Sequence, residues 1–161
     1  MPGSGMRIPV PLPRFVRSPK AYRMSHDVKH THGPGETEAA GAELARRLGP
    51  GDVVLVSGEL GSGKTTFVRG ACRALGVEGP ITSPTFTIGH VLRGSPEVAH
   101  LDLYRLGSLA GEDPALLEDY LTPDRVGFVE WPAVAEPELE RVAARVLLEH
   151  AGGDRRRITV A

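Results

Sequence analysis

Apolar residues fall in short segments along the chain. Some segments have the spacing of a helix, and others are the continuous apolar runs of buried strands. Residues 36–48 place Leu44 and Leu48 four positions apart, on one face of a predicted helix. Residues 53–56 are all apolar, and such a short run is typical of a strand that is covered on both faces. A second helix is predicted over residues 65–75. This order of helix, buried strand and helix predicts an α/β fold with a mostly parallel sheet.

The rest of the chain predicts further strands and one short helix. The strands are expected over residues 85–92, 98–103, 126–130, 145–149 and 156–160. Turns at residues 94–96 and 152–154 would join the first two and the last two. Both pairs are therefore expected to be antiparallel additions to the sheet, the second of them a C-terminal hairpin. Residues 139–148 could instead be helical by composition, but the hairpin is favoured. The short helix is expected over residues 115–121, after Asp113 and Pro114.

The first 33 residues differ in composition from the rest. Residues 1–24 contain five basic residues, five prolines and no acidic residue. Proline lacks the amide hydrogen that a helix interior or an interior strand needs. We expect residues 1–33 to be a Pro-rich basic extension that is disordered, and residues 34–161 to form the folded domain.

Composition excludes several classes of protein. The 161 residues carry 19 Lys and Arg against 20 Asp and Glu, so a strongly basic, histone-like protein that binds DNA is excluded. The longest apolar runs are about four residues, far below the ~20 that a membrane helix needs, so no membrane association is expected. The single cysteine, Cys72, has no partner for an internal disulfide. We expect a cytoplasmic protein.

Residues 58–65, GELGSGKT, match the phosphate-binding pattern G-x-x-x-x-G-K-[ST] and lie between a predicted strand and a predicted helix. Glycines let successive backbone amides approach phosphate oxygens, and the helix adds its positive end. Lys64 would supply a cation to the β- and γ-phosphates, and the Thr65 hydroxyl is placed to ligate Mg²⁺. The residues expected to contact the nucleotide are Glu59, Leu60, Gly61, Ser62, Gly63, Lys64, Thr65 and Thr66. A P-loop NTPase-like three-layer sandwich is therefore the expected fold.

A nucleotide hydrolase also needs a carboxylate near the phosphates, and Asp102 and Glu130 each end a predicted strand. Parallel strands gather ligands at their carboxyl ends, although either acid could be a solvated charge at a strand end. Thr85, in a proline-containing loop, could contact the γ-phosphate and the metal, or be an ordinary turn hydroxyl. Trp131 could stack on a base or a partner, or pack in the core.

Missing residue types narrow the reaction. The chain has no Asn and no Lys after Lys64, which excludes the Asn-Lys-x-Asp guanine-binding element of small GTPases. It also has no Gln, so a glutamine cannot position the attacking water, and hydrolysis is expected to be slow without partners. A small-molecule kinase is an alternative, but no predicted loop between Thr65 and Glu130 carries the arginine cluster of a kinase lid.

Four motifs in this order resemble the bacterial tRNA threonylcarbamoyladenosine biosynthesis ATPases, the TsaE family. They are GELGSGKTTF at residues 58–67, SPTFT at 83–87, HLDLYRL at 100–106 and VEWP at 129–132. The resemblance extends from about residue 36 to the C-terminus and leaves the proline-rich start unexplained.

The resemblance implies an ATPase that acts with the TsaD and TsaB proteins to form N6-threonylcarbamoyladenosine at position 37 of tRNAs that read codons starting with A. The chain would reach tRNA indirectly, through that complex. The resemblance also implies that Lys64 and Thr65 bind ATP and Mg²⁺, and that Asp102 and Glu130 act at the active site beside Trp131.

In the expected mechanism Lys64, Asp102 and Glu130 are catalytic. Thr65 and Asp102 hold Mg²⁺, Glu130 orients water, and hydrolysis drives a conformational cycle of the TsaD–TsaB complex. Which of the two acids ligates the metal stays open, so Glu130 is also a candidate ligand, as is Thr85. A nucleotide-gated assembly factor without essential turnover is the non-enzymatic alternative.

Overall fold

The structure is a computed structural model, and it describes residues 26–107, 112, 115–139 and 141–161. The strands in these ranges are β1 (Asp27–Thr31), β2 (Val53–Gly58), β3 (Gly89–Leu92), β4 (Val98–Asp102), β5 (Val126–Glu130), β6 (Val142–His150) and β7 (Arg156–Val160). The helices are α1 (Pro34–Ala45) and α2 (Lys64–Ala74), which flank β2, and two 3₁₀ turns, Pro132–Val134 and Glu136–Glu138.

The described strands form one sheet in the order β1-β7-β6-β2-β5-β4-β3. Central β2 pairs in parallel with β5 and β6, and β4 pairs in parallel with β5. Both predicted antiparallel additions are confirmed, since β3 pairs with β4, and β6 and β7 form the C-terminal hairpin. The predicted α/β fold class is therefore confirmed. The carboxyl ends of β2, β4 and β5 lie at one edge of the sheet, which is the edge that positions the site.

Helices α1 and α2 pack against each other on one face of the sheet. Their close approach needs glycine, because a Cβ at Gly41 would overlap the Phe67 carbonyl and one at Gly70 would overlap the Glu38 carbonyl. Burial raises the pKa of the Cys72 thiol in α2 to about 12, which fits a small core residue. Neither helix of the described ranges has the length and apolarity that a bilayer crossing requires.

In the part of the chain that the structure describes, turns rather than long helices cover the opposite face of the sheet. Leu103, Leu117 and Ala135 lie in these turns and pack with Leu55 and Leu101 of the sheet. The helix predicted over 115–121 is wrong, because residues 115–120 form turns. Asp113 and Pro114, predicted to begin it, lie outside the described residues.

Several predicted element boundaries also need correction. The strand predicted over 145–149 is longer, because β6 extends from Val142 to His150 and its first residues pair with β2. Helix α1 ends at Ala45 rather than at residue 48, since Arg47 and Leu48 donate tighter turn bonds to the carbonyls three residues before them. Strand β3 begins at Gly89 rather than at residue 85. The strand predicted over 126–130 agrees with the structure at both ends.

The folded domain begins earlier than the predicted residue 34. Strand β1 pairs with β7 from Asp27↔Val160 to Thr31↔Arg156, within the range expected to be a disordered extension. Val28 of β1 is exposed whereas Thr31 is buried, so the strand lacks an inward apolar face. Hydrophobic periodicity therefore could not reveal it. Residues 1–25 of the predicted extension lie outside the described residues.

We expect a chain that starts at Pro34 to be less stable than one that starts at Ser25, by about 2 to 4 kcal/mol. The shorter chain loses the β1–β7 pairing, in which each backbone hydrogen bond contributes roughly 1 kcal/mol. It also loses the buried contact between the Thr31 and Thr37 hydroxyls, 2.9 Å apart. Thermal unfolding of the two truncations measures the difference, and equal midpoints would show that β1 adds nothing.

Candidate functional site

The phosphate-binding pattern forms the loop between β2, which ends at Gly58, and α2, which begins at Lys64. Gly58 has φ +149°, and a Cβ there would lie 2.5 Å from both the Leu148 carbonyl oxygen and Ser62 Oγ. Gly63 has φ +97°, a left-handed conformation at the last residue before the helix. Only glycine fits these two positions without strain, so the loop conformation follows from the sequence.

The start of α2 is open to an anion. No side chain caps it, because the N-cap position is Gly63. The first amides of a helix have no acceptor within the helix, and they carry the positive end of its dipole. A phosphate group fits this end of α2 on the physical properties of the backbone alone.

Lys64 lies inside the loop, where it is 5% exposed. Its Nζ donates to the carbonyls of Gly58 at 2.9 Å and Glu59 at 2.8 Å. Nζ also lies 4.2 Å from the centroid of the Trp131 ring, which adds a cation–π contact. Burial lowers the pKa of Lys64, and the charges of Glu130 and Asp102 oppose that shift. The loop thus contains a poorly hydrated cation that an anionic ligand would stabilise.

The parallel register places both predicted carboxylates at the site edge. Asp102 ends β4 opposite Glu130, which ends β5, and Glu130 is also opposite Val56 of β2. Glu130 is 2% exposed. The two acids therefore end neighbouring strands on one side of β2, the strand that leads into the phosphate loop.

A buried chain of hydrogen bonds links Thr65, Glu130 and His100. Thr65 Oγ1 donates to Glu130 Oε1 at 3.0 Å, and His100 Nε2 lies 2.8 Å from the same oxygen. A carboxylate oxygen only accepts, so Nε2 carries the proton in this contact. The sequence-based mechanism pairs Thr65 with Asp102, whereas the threonine hydroxyl contacts Glu130.

Asp102 connects two segments beside the phosphate loop, residues 83–87 and residues 103–106. Its Oδ2 accepts from Ser83 Oγ at 2.7 Å, and its Oδ1 accepts from the Tyr104 amide at 2.9 Å. Arg105 donates to the Thr85 carbonyl at 2.7 Å. The SPTFT and HLDLYRL segments are therefore joined side by side, with Asp102 between them.

Trp131 has the left-handed values φ 55° and ψ 56°, which are uncommon for a residue other than glycine. Its amide donates to the Val56 carbonyl at 3.2 Å. The ring centroids of Trp131 and Tyr104 are 4.8 Å apart. Trp131 thus packs between Tyr104 and Lys64, so its ring lies at the site rather than in the core.

The structure brings most of the predicted site residues together. Lys64, Thr65, Glu130 and Trp131 form direct contacts around the start of α2, and Glu59 contributes a carbonyl. Leu60 is 71% exposed. Sequence reasoning assigned no role to His100 or Ser83. His100 and Asp102 are two residues apart on one strand, so their side chains lie on the same face of the sheet. This spacing is the sequence signal that could have placed His100 near the site.

The donor set suits a hard cation. Within the described residues no three His, Cys, Asp or Glu side chains cluster as a protein-only metal site. Thr65, Glu130 and Asp102 instead offer hard oxygen donors, the type of which Mg²⁺ takes only one or two from a protein when phosphate and water complete its shell.

The sequence of this chain also matches a known protein family. Residues 31–158 match the family model described as "Threonylcarbamoyl adenosine biosynthesis protein TsaE". The chain belongs to the TsaE family. It is 43% identical over 117 residues to the tRNA threonylcarbamoyladenosine biosynthesis protein TsaE of Streptomyces coelicolor, covering 71% of this chain and 79% of that protein. The protein of the same name from Bacillus subtilis is 37% identical over 130 residues, covering 80% and 81%.

A solved structure has the same fold as this chain. The crystal structure of Bacillus subtilis YdiB is similar to this chain with a TM-score of 0.70 and 31% identity, and the similarity covers 84% of each chain. The shared region includes too much of this TsaE-family chain for the likeness to arise from the phosphate loop alone. The predicted family and fold are both confirmed.

Proposed function

We propose that this chain binds ATP with Mg²⁺ and hydrolyses it to ADP and phosphate. It would be the ATPase of the machinery that forms N6-threonylcarbamoyladenosine at position 37 of tRNAs that read codons starting with A. The observation that carries the proposal is the buried Lys64 ammonium beside the uncapped start of α2, with Thr65 and Glu130 in contact next to it. Membership of the TsaE family supports the pathway.

Each group has a distinct role in the proposed reaction. The amides at the start of α2 bind phosphate oxygens, and the Lys64 ammonium leaves the carbonyls of Gly58 and Glu59 to bind the β- and γ-phosphates. Asp102, set by Ser83 and the Tyr104 amide, orients the attacking water. Trp131 shields Lys64 from solvent on the side of Tyr104.

Thr65 and Glu130 are the pair that would bind the metal. Their direct contact favours Glu130 over Asp102 as the acidic ligand, which reverses the assignment expected from the sequence. Mg²⁺ neutralises charge on the β- and γ-phosphates when it is bound. His100 orients the Glu130 carboxylate from the interior, since it is fully buried.

We expect His100→Leu to lower ATP turnover by roughly 10- to 100-fold, the usual cost of losing a partner behind a metal ligand. His100→Gln can place an amide donor where Nε2 lies, so it is expected to recover most of the activity. Steady-state kinetics of the two variants across magnesium concentrations provide the test. Equal losses in both variants would instead indicate a packing role.

The partner proteins are part of the proposal. ATP hydrolysis would reset the TsaD–TsaB complex between rounds, and the threonylcarbamoyl transfer itself would occur on the partner. Phe86 and Tyr104, 98% and 57% exposed, lie on the two loops joined at Asp102, and aromatic rings are enriched at protein interfaces.

Reconstitution tests the proposed function. The purified chain is added to TsaD, TsaB, tRNA and the threonylcarbamoyl donor, and modified tRNA is counted per complex. The proposal predicts repeated rounds only when this chain and hydrolysable ATP are present. Repeated modification with a non-hydrolysable ATP analogue would favour a nucleotide-gated assembly factor. Phosphate transferred to a small acceptor, without free phosphate, would indicate a kinase.

A further inference from the structure

Arg156 and Arg157 begin β7 and Arg155 precedes it, and the proposed reaction uses none of the three. Arg157 pairs with Glu149 at 2.8 Å on the exposed face of the hairpin. Arg155 contacts the Gly152 carbonyl of its own turn. These two contacts are local to the hairpin.

Arg156 instead reaches the phosphate loop, 94 residues earlier in the chain. Its Nε donates to the Ser62 carbonyl at 3.0 Å, and its Nη2 donates to the Gly61 carbonyl at 3.3 Å. Arginine is suited to this contact because its planar guanidinium presents several donors in a fixed arrangement, whereas lysine presents one point charge. The side chain thus contacts two consecutive peptide groups of the loop.

The guanidinium of Arg156 is also held in place by the hairpin. Arg156 Nη1 donates to the carbonyls of Gly153 at 2.7 Å and Arg155 at 2.8 Å, which ties the guanidinium to the hairpin turn. The backbone of Arg156 is paired on both sides, opposite His150 of β6 and Thr31 of β1. A strand between two neighbours is a rigid base from which to restrain a loop.

The direction of a carbonyl determines the direction of the next amide. In a planar trans peptide the C=O and the following N–H point to opposite sides. The contact with Arg156 directs the Ser62 carbonyl toward the hairpin, so the Gly63 amide is directed away from it. Gly63 itself sets little conformational preference, because glycine is the most permissive residue. The glycines permit this loop conformation without enforcing it, so a contact from outside the loop adds a restraint before a ligand binds.

We propose that Arg156 is a positioning residue for the phosphate loop. It fixes the carbonyls of Gly61 and Ser62 from the hairpin side, so that the loop amides are already oriented toward the nucleotide phosphates. Preorganisation of this kind reduces the conformational entropy lost on binding. The inference rests on the proposed nucleotide binding, but the restraint on the loop can be measured without any nucleotide.

The experiment compares Arg156→Ala and Arg156→Lys with the matched control Arg157→Ala. Hydrogen–deuterium exchange of the nucleotide-free chain reports the mobility of residues 58–64. The fluorescence of Trp131, the single tryptophan, which lies beside Lys64, reports the Kd for ATP with Mg²⁺. Both Arg156 variants are expected to speed loop exchange and to raise the Kd by about tenfold, the scale of a lost hydrogen bond to a charged group. Exchange in β6 is expected to stay as in wild type.

The outcomes distinguish the positioning role of Arg156 from the proposed binding of ATP. If both Arg156 variants match Arg157→Ala in loop exchange and Kd, the positioning role is wrong. If only Arg156→Ala differs from the control, the effect comes from charge rather than from the guanidinium arrangement, and the inference is again overturned. If Arg156→Ala does not fold, Arg156→Lys alone decides. If wild type binds no ATP, the proposed function fails, and loop exchange still decides the role of Arg156.

Discussion

Lys64→Met is expected to lower the kcat/KM for ATP by roughly 10²- to 10³-fold, the usual cost of removing one preorganised electrostatic contact to a transition state. The same variant is expected to be about as stable as wild type, within ~1 kcal/mol. Two effects oppose each other in the unliganded fold. Removing Nζ leaves the carbonyls of Gly58 and Glu59 without this donor, but it also removes a cation whose pKa is lowered by burial. Methionine keeps the apolar contact with Trp131.

Kinetics and thermal unfolding of Lys64→Met measure the two quantities separately. Lys29→Met is the matched control, because Lys29 of β1 pairs with Glu43 of α1, and this variant is expected to leave kcat/KM unchanged. Wild-type turnover in Lys64→Met would place ATP hydrolysis elsewhere. Equal losses of turnover and of stability would mean that Lys64 supports the fold instead of the reaction.

Glu130→Gln is expected to have the second largest effect, a loss of about 10²-fold in turnover with an increased requirement for Mg²⁺. Glutamine has the same shape and still offers an acceptor to Thr65 Oγ1 and His100 Nε2. The substitution therefore removes the negative charge with little change in packing. The fold is expected to remain intact.

Turnover is measured across magnesium concentrations, with ATP binding measured in parallel. Glu149→Gln serves as the control, since this exposed acid pairs with Arg157 away from the loop. A variant that binds ATP, does not hydrolyse it and still supports repeated tRNA modification would favour the assembly-factor alternative. Wild-type turnover of this variant at ordinary magnesium concentration would show that Glu130 has no role in hydrolysis.

The sequence predicted the elements whose signals are local. Strand β5 was predicted at both ends because all but one of its residues are apolar or glycine and Trp131-Pro132 follows it. The start of α2 followed from the spacing of glycines around Lys64. The turn glycines at 152 and 153 predicted the hairpin, and both have positive φ. In each case the residue types themselves restrict the backbone.

The sequence could not predict structure that depends on distant contacts. The strand predicted from residue 85 begins only at Gly89. Asp102 accepts a hydrogen bond from Ser83 and Arg105 donates one to the Thr85 carbonyl, and these bonds hold the preceding segment as a loop beside the site. Strand β1 has polar residues on its inward side, with Lys29 paired to Glu43 of α1, so its pattern resembles that of a solvated tail.

The same limit applies to the candidate site. The motif identified Lys64 and Thr65 because their spacing is fixed within one loop. The choice of Glu130 over Asp102 as the neighbour of Thr65 depends on side-chain directions across two strands. The contact between Arg156 and Ser62 joins residues 94 positions apart in the sequence, and three consecutive arginines carry no signal that singles out the middle one.

Calorimetric titration of the full chain with ATP and Mg²⁺ tests the central claim most directly. The account predicts that one ATP binds per chain with a measurable heat, and that the affinity falls when Mg²⁺ is withheld. Well-folded protein, confirmed by a cooperative thermal transition, that shows no heat with ATP would contradict the assignment of residues 58–65 as a nucleotide site.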